Sequence, residues 1–220
     1  YLKGRRREGA MLVHIAVCWR LRQCKVEFTS TFFDMANAFM SPEKSELDGA
    51  ADSHCKKASD AHLMKDHHYF SMTRIECCDE DLTLAVGRGN LPGDTISCLE
   101  FLAVYEPIVK KWNEQINATL GCTLDAISPV TGKKQDIGVS LFADDLKKTM
   151  VGETVTEHIG NNSWANRLLN HQCNPKGLHQ NMSKQEIQYH FAGTGSRVRR
   201  QEFVSKAVGL PGKLTHVSRY

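Results

Sequence analysis

Two adjacent aspartates, Asp144 and Asp145, interrupt a run of apolar and β-prone residues that extends from 136 to 151. Apolar segments on both sides of a short polar step predict a β-hairpin with the two acids in its tight turn. A single aspartate would be an ordinary turn residue, because its side chain can bond the nearby backbone. Two neighbouring carboxylates repel each other, and a divalent cation is the usual counter-charge. The hairpin alone leaves a metal site and a plain turn as alternatives.

Composition narrows the class of protein. The 220 residues are 41% hydrophobic and 24% charged, which suits one domain, or one and a half, with a real core. The formal net charge of +3 permits a nucleic-acid partner without requiring one. The chain starts without methionine and stops at Tyr220 without a tail, so we expect a fragment of a longer reading frame.

The cysteines and the apolar runs indicate in which cellular compartment the protein is expected. The eight cysteines form no Cys-x-x-Cys pair and no zinc-finger spacing, as is typical of a reducing compartment. The longest apolar run near the start, residues 11–18, is far too short to cross a bilayer. We therefore expect an intracellular protein, nuclear or cytoplasmic, that is not secreted and has no membrane partner.

Hydrophobic periodicity predicts the elements around the acidic hairpin. Residues 8–24 have the pattern of an amphipathic helix, and residues 25–33 that of a strand ending at Asp34. Ser41, followed by proline and glutamate, predicts a helix start with the serine as N-cap. The polar, histidine-rich residues 49–70 predict a solvated helix.

The rest of the chain alternates between strands, connections and helices. The predicted elements are a hairpin over 75–86 that turns at 79–81, an apolar helix over 95–105, a connection over 117–135, a helix over 154–172 and a returning strand within 178–191. A basic segment at 197–200 would face either phosphate or solvent.

Two segments outside the hairpin have residue types that bind ligands. Asp34 follows a strand and precedes a loop, a common position for a ligand, although a capping or turn aspartate has the same pattern. The glycine-rich residues 87–94 lead directly into the predicted helix at 95–105. Flexible backbone before a helix N-terminus can form an anion or nucleotide site, but a plain loop capped by Asp94 or Thr95 fits the pattern too.

Four segments of the chain follow one another in a recognisable order. They are Asp34 with Phe39; Gly89, Gly93, Asp94, Ser97 and Phe101; Phe142-Ala143-Asp144-Asp145; and Gly177-Leu178-x-x-Asn181-x-x-Lys184-x-Glu186. They resemble, in that order, polymerase motifs A, B, C and D of reverse transcriptases, most closely those of non-LTR (LINE-type) retrotransposons. The resemblance covers about residues 3–220, and the four motifs in order are far more specific than any one of them.

The resemblance implies an α+β fold of the right-hand polymerase type. Its palm would be a small antiparallel sheet with helices on its back, accompanied by partial fingers. Residues 1–24 and about 50–90 would belong to the fingers, and residues 25–49 and 91–220 to the palm. The thumb and the endonuclease of that family would be absent from these residues.

The resemblance also implies an RNA-directed DNA polymerase, with an RNA template, a DNA primer and dNTPs as partners. Two divalent ions about 4 Å apart clamp the attacking hydroxyl and the leaving pyrophosphate in such enzymes. Asp34 and Asp144 would bind these ions with Asp145 in support, and Mg²⁺ fits such a site, with Mn²⁺ as an alternative. Lys184 would donate a proton to the pyrophosphate or stabilise its charge, unless it is a plain surface lysine.

The positions that would bind nucleotide and template are Phe39, Pro92, Gly93, Asp94 and Ser97. Phe39 would place its ring near the sugar and block a ribose 2′-hydroxyl, or it is a core residue that closes the loop. Two positions depart from the family pattern: Pro92 stands where motif B has glutamine, and Met40 where an aspartate commonly follows the aromatic. These departures make an inactive nucleic-acid-binding remnant one alternative, and an RNA-templated RNA polymerase is another, because palm enzymes share motifs A and C.

Overall fold

The computed structural model describes residues 7–77, 80–90, 96–121 and 123–217. The chain divides into two compact units. The first unit comprises Tyr1–Asp34, Lys111–Asn170 and Gln180–Tyr220, and the second comprises Met35–Lys110 and His171–His179. Both units combine helices with short strands, so the predicted α+β class is confirmed.

The described residues form six α-helices and eleven strands. The helices are α1 Arg7–Gln23, α2 Lys44–His54, α3 Ala58–Phe70, α4 Ser97–Leu120, α5 Val155–Cys173 and α6 Ser196–Lys206. The strands are β1 Phe28–Phe33, β2 Met35–Ala36, β3 Met72–Cys77, β4 Glu80–Ala85, β5 Asp125–Ile127, β6 Lys134–Asp136, β7 Val139–Phe142, β8 Asp145–Val151, β9 His179–Gln180, β10 Glu186–His190 and β11 Lys213–His216.

The first unit is built on a five-stranded sheet with the strand order β11-β10-β1-β8-β7. Its central strand β1 is antiparallel to both β10 and β8, whereas β10 and β11 run parallel. The sequence of β1, Phe-Thr-Ser-Thr-Phe-Phe, is rich in aromatic and β-branched residues, which favour a strand buried on both faces.

One face of this sheet packs against α5 and against residues 111–120 of α4. The ring of Phe33 on β1 meets the ring of Trp112 edge-on, with their centroids 5.3 Å apart. The amide of Asn162 on α5 donates to Thr29 Oγ1 at 2.9 Å and accepts a hydrogen bond from Thr31. Because buried hydroxyls and amides need partners, these contacts fix the lateral position of α5 on the sheet.

Helix α1 lies against the opposite face of the sheet. The His14 ring meets Phe32 edge-on at 5.2 Å, and its Nε2 lies 3.3 Å from Gln188 Oε1 on β10. The helix predicted over 8–24 is confirmed within one residue. Its apolar residues do not all face the sheet, however, since Leu12 and Trp19 are 66% and 58% exposed.

A second apolar cluster packs on the β10–β11 side of the sheet. Its buried members are Val155, Ile187, Tyr189, Phe191, Phe203 and Ala207. Tyr189 and Phe203 stack at 5.0 Å between centroids, which anchors α6 on β10. The basic residues 197–200 lie in the first half of this helix, where Arg199 pairs with Glu27.

The second unit contains a buried polar cluster around His68. His68 Nε2 lies 2.9 Å from Glu100 Oε1, and its Nδ1 lies 3.2 Å from Asp48 Oδ1. Burial alone would lower the pKa of His68, but the hydrogen bonds with Glu100 and then Asp48 outweigh it and raise the pKa. Asn90 completes the cluster by donating to the other oxygen of Glu100.

The single solvated helix predicted over 49–70 is therefore wrong in two respects. The segment forms two helices, α2 and α3, that are separated at residues 55–57. His68, on α3, is fully buried because its two carboxylate partners come from α2 and from α4. The polar composition does not reveal that the face of α3 with His68 is buried, because a buried ionic cluster and a solvated surface contain the same residue types.

The helix start predicted at Ser41 is also wrong. Helix α2 begins at Lys44, and the serine instead ends a short 3₁₀ turn over Ala38–Met40. Ser41 Oγ donates to the carbonyls of Ala36 and Asn37 at 2.8 and 2.9 Å. The side chain that capping rules assign to the following helix thus fixes the preceding loop.

The other predicted elements agree with the structure apart from their bounds. The hairpin over 75–86 is β3 paired with β4, and its connecting residues 78–79 lie outside the described ranges. Helix α4 runs on through Pro107 to Leu120, so the predicted connection over 117–135 starts in a helix and then contains the β5–β6 hairpin. The helix over 154–172 and the returning strand are confirmed as α5 and β10.

The structure also bears on the membrane and on the thiols. Among the described helices, none combines the length and apolar character that a bilayer crossing requires. Five of the described cysteines are free thiols, namely Cys18, Cys24, Cys55, Cys98 and Cys173.

Candidate active site

The acidic hairpin is formed by β7 and β8, with Ala143 and Asp144 as a two-residue loop. Phe142 pairs with Asp145, so Asp145 is the first residue of β8 rather than part of the loop. Ala143 has a φ of 54°, whereas Asp144 has an ordinary negative φ. A positive φ at the first loop residue matches the right-handed twist of a hairpin, at a steric cost for alanine. The sequence therefore predicted the hairpin correctly and placed one acid too many in its turn.

Asp34 lies at the same end of the same sheet. The β1–β8 register pairs Phe33 with Leu146, so Asp34 and Asp145 occupy the next facing positions along the two strands. Asp144 follows at the adjoining loop. Adjacent antiparallel strands lie about 4.8 Å apart, which brings three aspartates to one edge although they are remote in sequence. Asp34 and Asp144 are half-buried, and Asp145 is exposed.

The backbone of Asp34 is fixed by the segment before β10. The carbonyl of Asp34 accepts a 2.8 Å hydrogen bond from the amide of Asn181, and the carbonyl of Asn181 accepts one from Lys184 at 3.1 Å. Asn181 and Lys184 thus form a turn that is bonded to the end of β1. Lys184 is exposed on this turn. The structure brings the Lys184 turn and Asp34 into one hydrogen-bonded chain, while the catalytic role of Lys184 stays a prediction.

The donor set is chemically suited to a hard divalent cation. Carboxylate oxygens are preferred ligands of Mg²⁺, which usually takes only one or two protein carboxylates and completes its octahedron with water and phosphate. In the part of the chain that the structure describes, no group of three or more His, Cys, Asp or Glu side chains is arranged to hold a metal. A site built from Asp34 and Asp144, with Asp145 beside them, stays a prediction.

Phe39 belongs to the second unit, where it lies in the 3₁₀ turn that follows β2. Its ring meets the ring of Phe101 on α4 edge-on, with centroids 5.5 Å apart. Phe101 is fully buried, whereas Phe39 is only half-buried. The two aromatic positions of motifs A and B therefore pack on each other, and one face of Phe39 is left for another contact.

The first glycine of motif B also packs on the motif A loop. The amide of Gly89 donates to the Pro42 carbonyl at 2.9 Å, and the amide of Asn90 donates to the Phe39 carbonyl at 2.7 Å. Gly89 has a φ of +58°, and a Cβ there would lie 2.3 Å from the carbonyl carbon of Met40. Only glycine fits such a close approach of two backbones.

The motif D position also requires glycine for a steric reason. Gly177 ends the 3₁₀ turn Asn174–Lys176 with a φ of 77°. A Cβ at this position would lie 2.7 Å from the carbonyl oxygen of Ser41. The glycine that the motif requires is therefore a tight C-cap rather than a ligand.

The remaining predicted nucleotide positions fall in or beside the glycine-rich loop. Ser97 is the first residue of α4 and is buried, at 2% exposure. Pro92, Gly93 and Asp94 lie outside the described residues.

Two buried charged positions near the acidic hairpin are not apparent from the sequence. Lys147 and Lys148, consecutive on β8, are 5% and 0% exposed. Lys148 Nζ bonds Asn113, Asn117 and Asp136, whereas Lys147 lines a cavity under α1. The alternation of β8 signals that the two lysines lie on opposite faces of a buried strand, but lysine composition alone is typical of an exposed one.

The sheet, its helices and the acidic hairpin together define an α+β fold of the polymerase palm type. Solved structures with this fold include apo telomerase from Candida tropicalis truncated from its C-terminal domain, with a TM-score of 0.55 and 13% identity over 86% of this chain. Telomerase from the same organism in complex with a TWJ fragment of telomeric RNA matches with a TM-score of 0.55 and 12% identity over 83% of this chain.

These matches show the fold alone, because the identities are so low. The chain spans 36% and 30% of the lengths of the two telomerase chains. No protein-family model matches the sequence, and no curated protein matches it. The palm-type fold predicted from the four motifs is thus confirmed by structure, while the LINE-type assignment stays a proposal.

Proposed function

We propose that the chain is part of a reverse transcriptase of the LINE type, an RNA-directed DNA polymerase that extends a DNA primer on an RNA template with dNTPs. The observation that supports this most is the sheet edge at which Asp34, directly after β1, lies opposite the β7–β8 hairpin that carries Asp144 and Asp145. The fold neighbours are telomerases, and one of them is bound to telomeric RNA, which favours RNA among the partners.

The aspartates of the sheet edge would hold the metal of this reaction. Asp34 and Asp144 would bind Mg²⁺, with Asp145 beside them, and the bound ion would supply positive charge against the triphosphate. The chain's own contribution is to fix these carboxylates in advance. Asp34 is held by its place next to the β1–β8 ladder and by the hydrogen bond from Asn181, and Asp144 by a two-residue loop. Such preorganisation is the main protein contribution to phosphoryl transfer.

Two further residues would act on the nucleotide. Lys184, exposed on the turn that bonds to Asp34, would donate a proton to the leaving pyrophosphate or stabilise its charge. Phe39, supported from behind by Phe101, would present its ring to the sugar and exclude a 2′-hydroxyl by a steric clash. Ser97, together with Pro92, Gly93 and Asp94 in the sequence before it, would contact nucleotide or template.

The test is primer extension by the 220-residue chain on an RNA template in Mg²⁺. We expect extension with dNTPs, and we expect Asp144→Asn to abolish it without unfolding the chain, because the amide keeps the shape of the loop and removes the charge. Asp60→Asn, an exposed aspartate on α3, is the matched control and should extend normally. Extension that survives Asp144→Asn would overturn the assignment.

A nucleic-acid-binding remnant without activity is the second candidate. It is favoured by Pro92, which replaces the glutamine that contacts template or nucleotide in the family. A chain that binds primer–template but does not extend it, and regains extension as Pro92→Gln, would support this reading. Extension with rNTPs in place of dNTPs would instead indicate an RNA-templated RNA polymerase.

A further inference from the structure

A cavity of ≈ 370 Å³ lies between α1 and the sheet of the first unit. Its walls are mostly apolar and come from α1, β1, β7 and β8; the aliphatic and aromatic members are Ala10, Met11, Ile15, Phe32, Phe33, Phe142 and Leu146. Four further lining residues carry polar groups besides Lys147, namely His14, Ser140, Asp145 and Gln188. Ligand pockets of about 300–1,000 Å³ with this mixture of walls accept small organic molecules.

Lys147 is the unusual member of this lining. The residue is only 5% exposed, and its Nζ has no hydrogen-bond partner among the described residues. The carboxylate of Asp145, two residues earlier on the same strand, lines the same cavity without bonding that Nζ. A buried ammonium without a partner is costly, and burial accordingly lowers the pKa of Lys147 to about 8.

The next residue, Lys148, is a buried lysine with a purely structural role. Lys148 Nζ donates to Asn113 Oδ1 at 2.7 Å, to Asn117 Oδ1 at 2.8 Å and to Asp136 Oδ2 at 3.0 Å. All the donor capacity of that ammonium is used by one carboxylate and two amides. Lys147 Nζ has no such acceptors among the described residues. A ligand that supplies an acceptor would therefore stabilise the ammonium, and a negatively charged acceptor would stabilise it most.

Apart from Asp145, which makes no hydrogen bond with Lys147 Nζ, the other polar groups of the cavity can add hydrogen bonds but no negative charge. His14 Nε2 lies 3.3 Å from Gln188 Oε1. Burial, and then the charge of Lys147, lower the pKa of His14 to about 4, so the ring is neutral near pH 7. A neutral imidazole and an amide orient a ligand without competing for its charge.

We propose that this cavity is a binding site for a small organic acid with a flat apolar body, whose carboxylate pairs with Lys147 while its rings lie against α1 and Phe32. The cavity adjoins the proposed metal-binding edge, because Asp145 lines it, but the binding of an acid at Lys147 does not require a metal at that edge. It does not depend on the chain being a polymerase.

The test compares two ligands of the same shape, 2-naphthoic acid and its neutral amide 2-naphthamide, by calorimetry and ligand-observed NMR. The unmodified chain should bind the acid about tenfold more tightly than the amide, since only the carboxylate can form a charged pair with the Lys147 ammonium. Lys147→Met keeps the length of the side chain and should bind the two ligands equally. Lys133→Met removes the same charge from an exposed loop and should keep the preference for the acid.

Two outcomes would overturn the proposal: no binding of the acid to the unmodified chain, or an unchanged preference in folded Lys147→Met. A second measurement needs no variant. Trace acetylation by acetic anhydride, followed by peptide mass spectrometry, should show that naphthoic acid protects Lys147 in the unmodified chain and that naphthamide does not. Equal labelling of Lys147 with and without the acid would also overturn the site, even if Lys147→Met fails to fold.

Discussion

Among the described glycines, Gly89 leaves the least room for an added Cβ atom. It combines a φ of +58° with a neighbouring backbone that a Cβ would approach to 2.3 Å. We expect Gly89→Ala to lower the free energy of unfolding by about 2–4 kcal/mol, because backbone strain and overlap add. Gly49→Ala, within α2 and with no atom within 4 Å of the added Cβ, is the matched control. It should raise stability by about 0.5–1 kcal/mol, and urea unfolding measures both.

Phe39 tests the nucleotide part of the proposed function. Its ring is supported by Phe101 on one side and is only half-buried. If the other side meets the sugar, Phe39→Ala should raise the ratio of rNTP to dNTP incorporation by about tenfold or more, since a steric gate is removed. Primer extension with each nucleotide set gives the ratio. An unchanged ratio in a folded variant would make Phe39 a packing residue only.

His68 predicts a pH dependence of stability in the second unit. Its pKa in the folded chain is raised above the ordinary value of 6.5 by Glu100 and Asp48, despite burial. The stabilisation by protonated His68 is therefore complete below about pH 6.5 and is lost as the pH rises through the folded-state pKa. Urea unfolding from pH 6 to 9 should show this decrease in the unmodified chain but not in His68→Gln. A parallel pH dependence in both proteins would contradict the assignment.

At the scale of the element, the two adjacent lysines of strand β8 should contribute differently to stability. Lys148→Met should lower the free energy of unfolding by about 2–4 kcal/mol, because Asp136 keeps its negative charge and loses its cation. The pKa of Asp136 is lowered in the folded chain, where Asn117 and Lys148 outweigh the effect of burial. Lys147→Met should be neutral or stabilising, since no partner is left behind. The changes in the free energy of unfolding of the two variants, measured with urea, should therefore differ in sign or by at least about 2 kcal/mol.

The acidic hairpin and the long amphipathic helices could be predicted because their signals are local. Apolar residues on both sides of Ala143-Asp144 leave few alternatives to a two-residue loop, and α5 has a clear helical period. Ser41 and His68 could not be predicted, because their partners are set by tertiary structure. The serine satisfies carbonyls behind it, and the histidine is buried only because α2 and α4 supply carboxylates.

At the scale of the whole molecule, the proposed metal site depends on the sheet topology rather than on any one segment. The order and spacing of the motifs predict that Asp34 and Asp144 lie close together, and the β1–β8 pairing brings Asp34 opposite Asp145, the neighbour of Asp144. The cavity at Lys147 was not predictable in this way. Its walls come from four separated segments, and no local pattern marks a lysine whose partner is missing.

Iron-directed cleavage checks the metal site on the entire chain. Fe²⁺ with ascorbate generates radicals that cut the backbone near a site that Mg²⁺ normally occupies. We expect cuts near both Asp34 and Asp144, and we expect excess Mg²⁺ and Asp34→Asn to suppress both sets together. Cuts near only one of the two aspartates would show that they do not share an ion.

The contact between Trp112 and Phe33 gives the chain an intrinsic optical reporter. Trp112 is fully enclosed, donates its indole N–H to the Ala165 carbonyl and touches the residue just before Asp34. Trp19, by contrast, is 58% exposed. Acrylamide can therefore silence the emission of Trp19 while that of Trp112 persists. Once the third tryptophan, the half-buried Trp164, is replaced in a Trp164→Phe variant, what remains is a blue-shifted signal from beneath the acidic edge, against which metal titration and unfolding can be followed without any label.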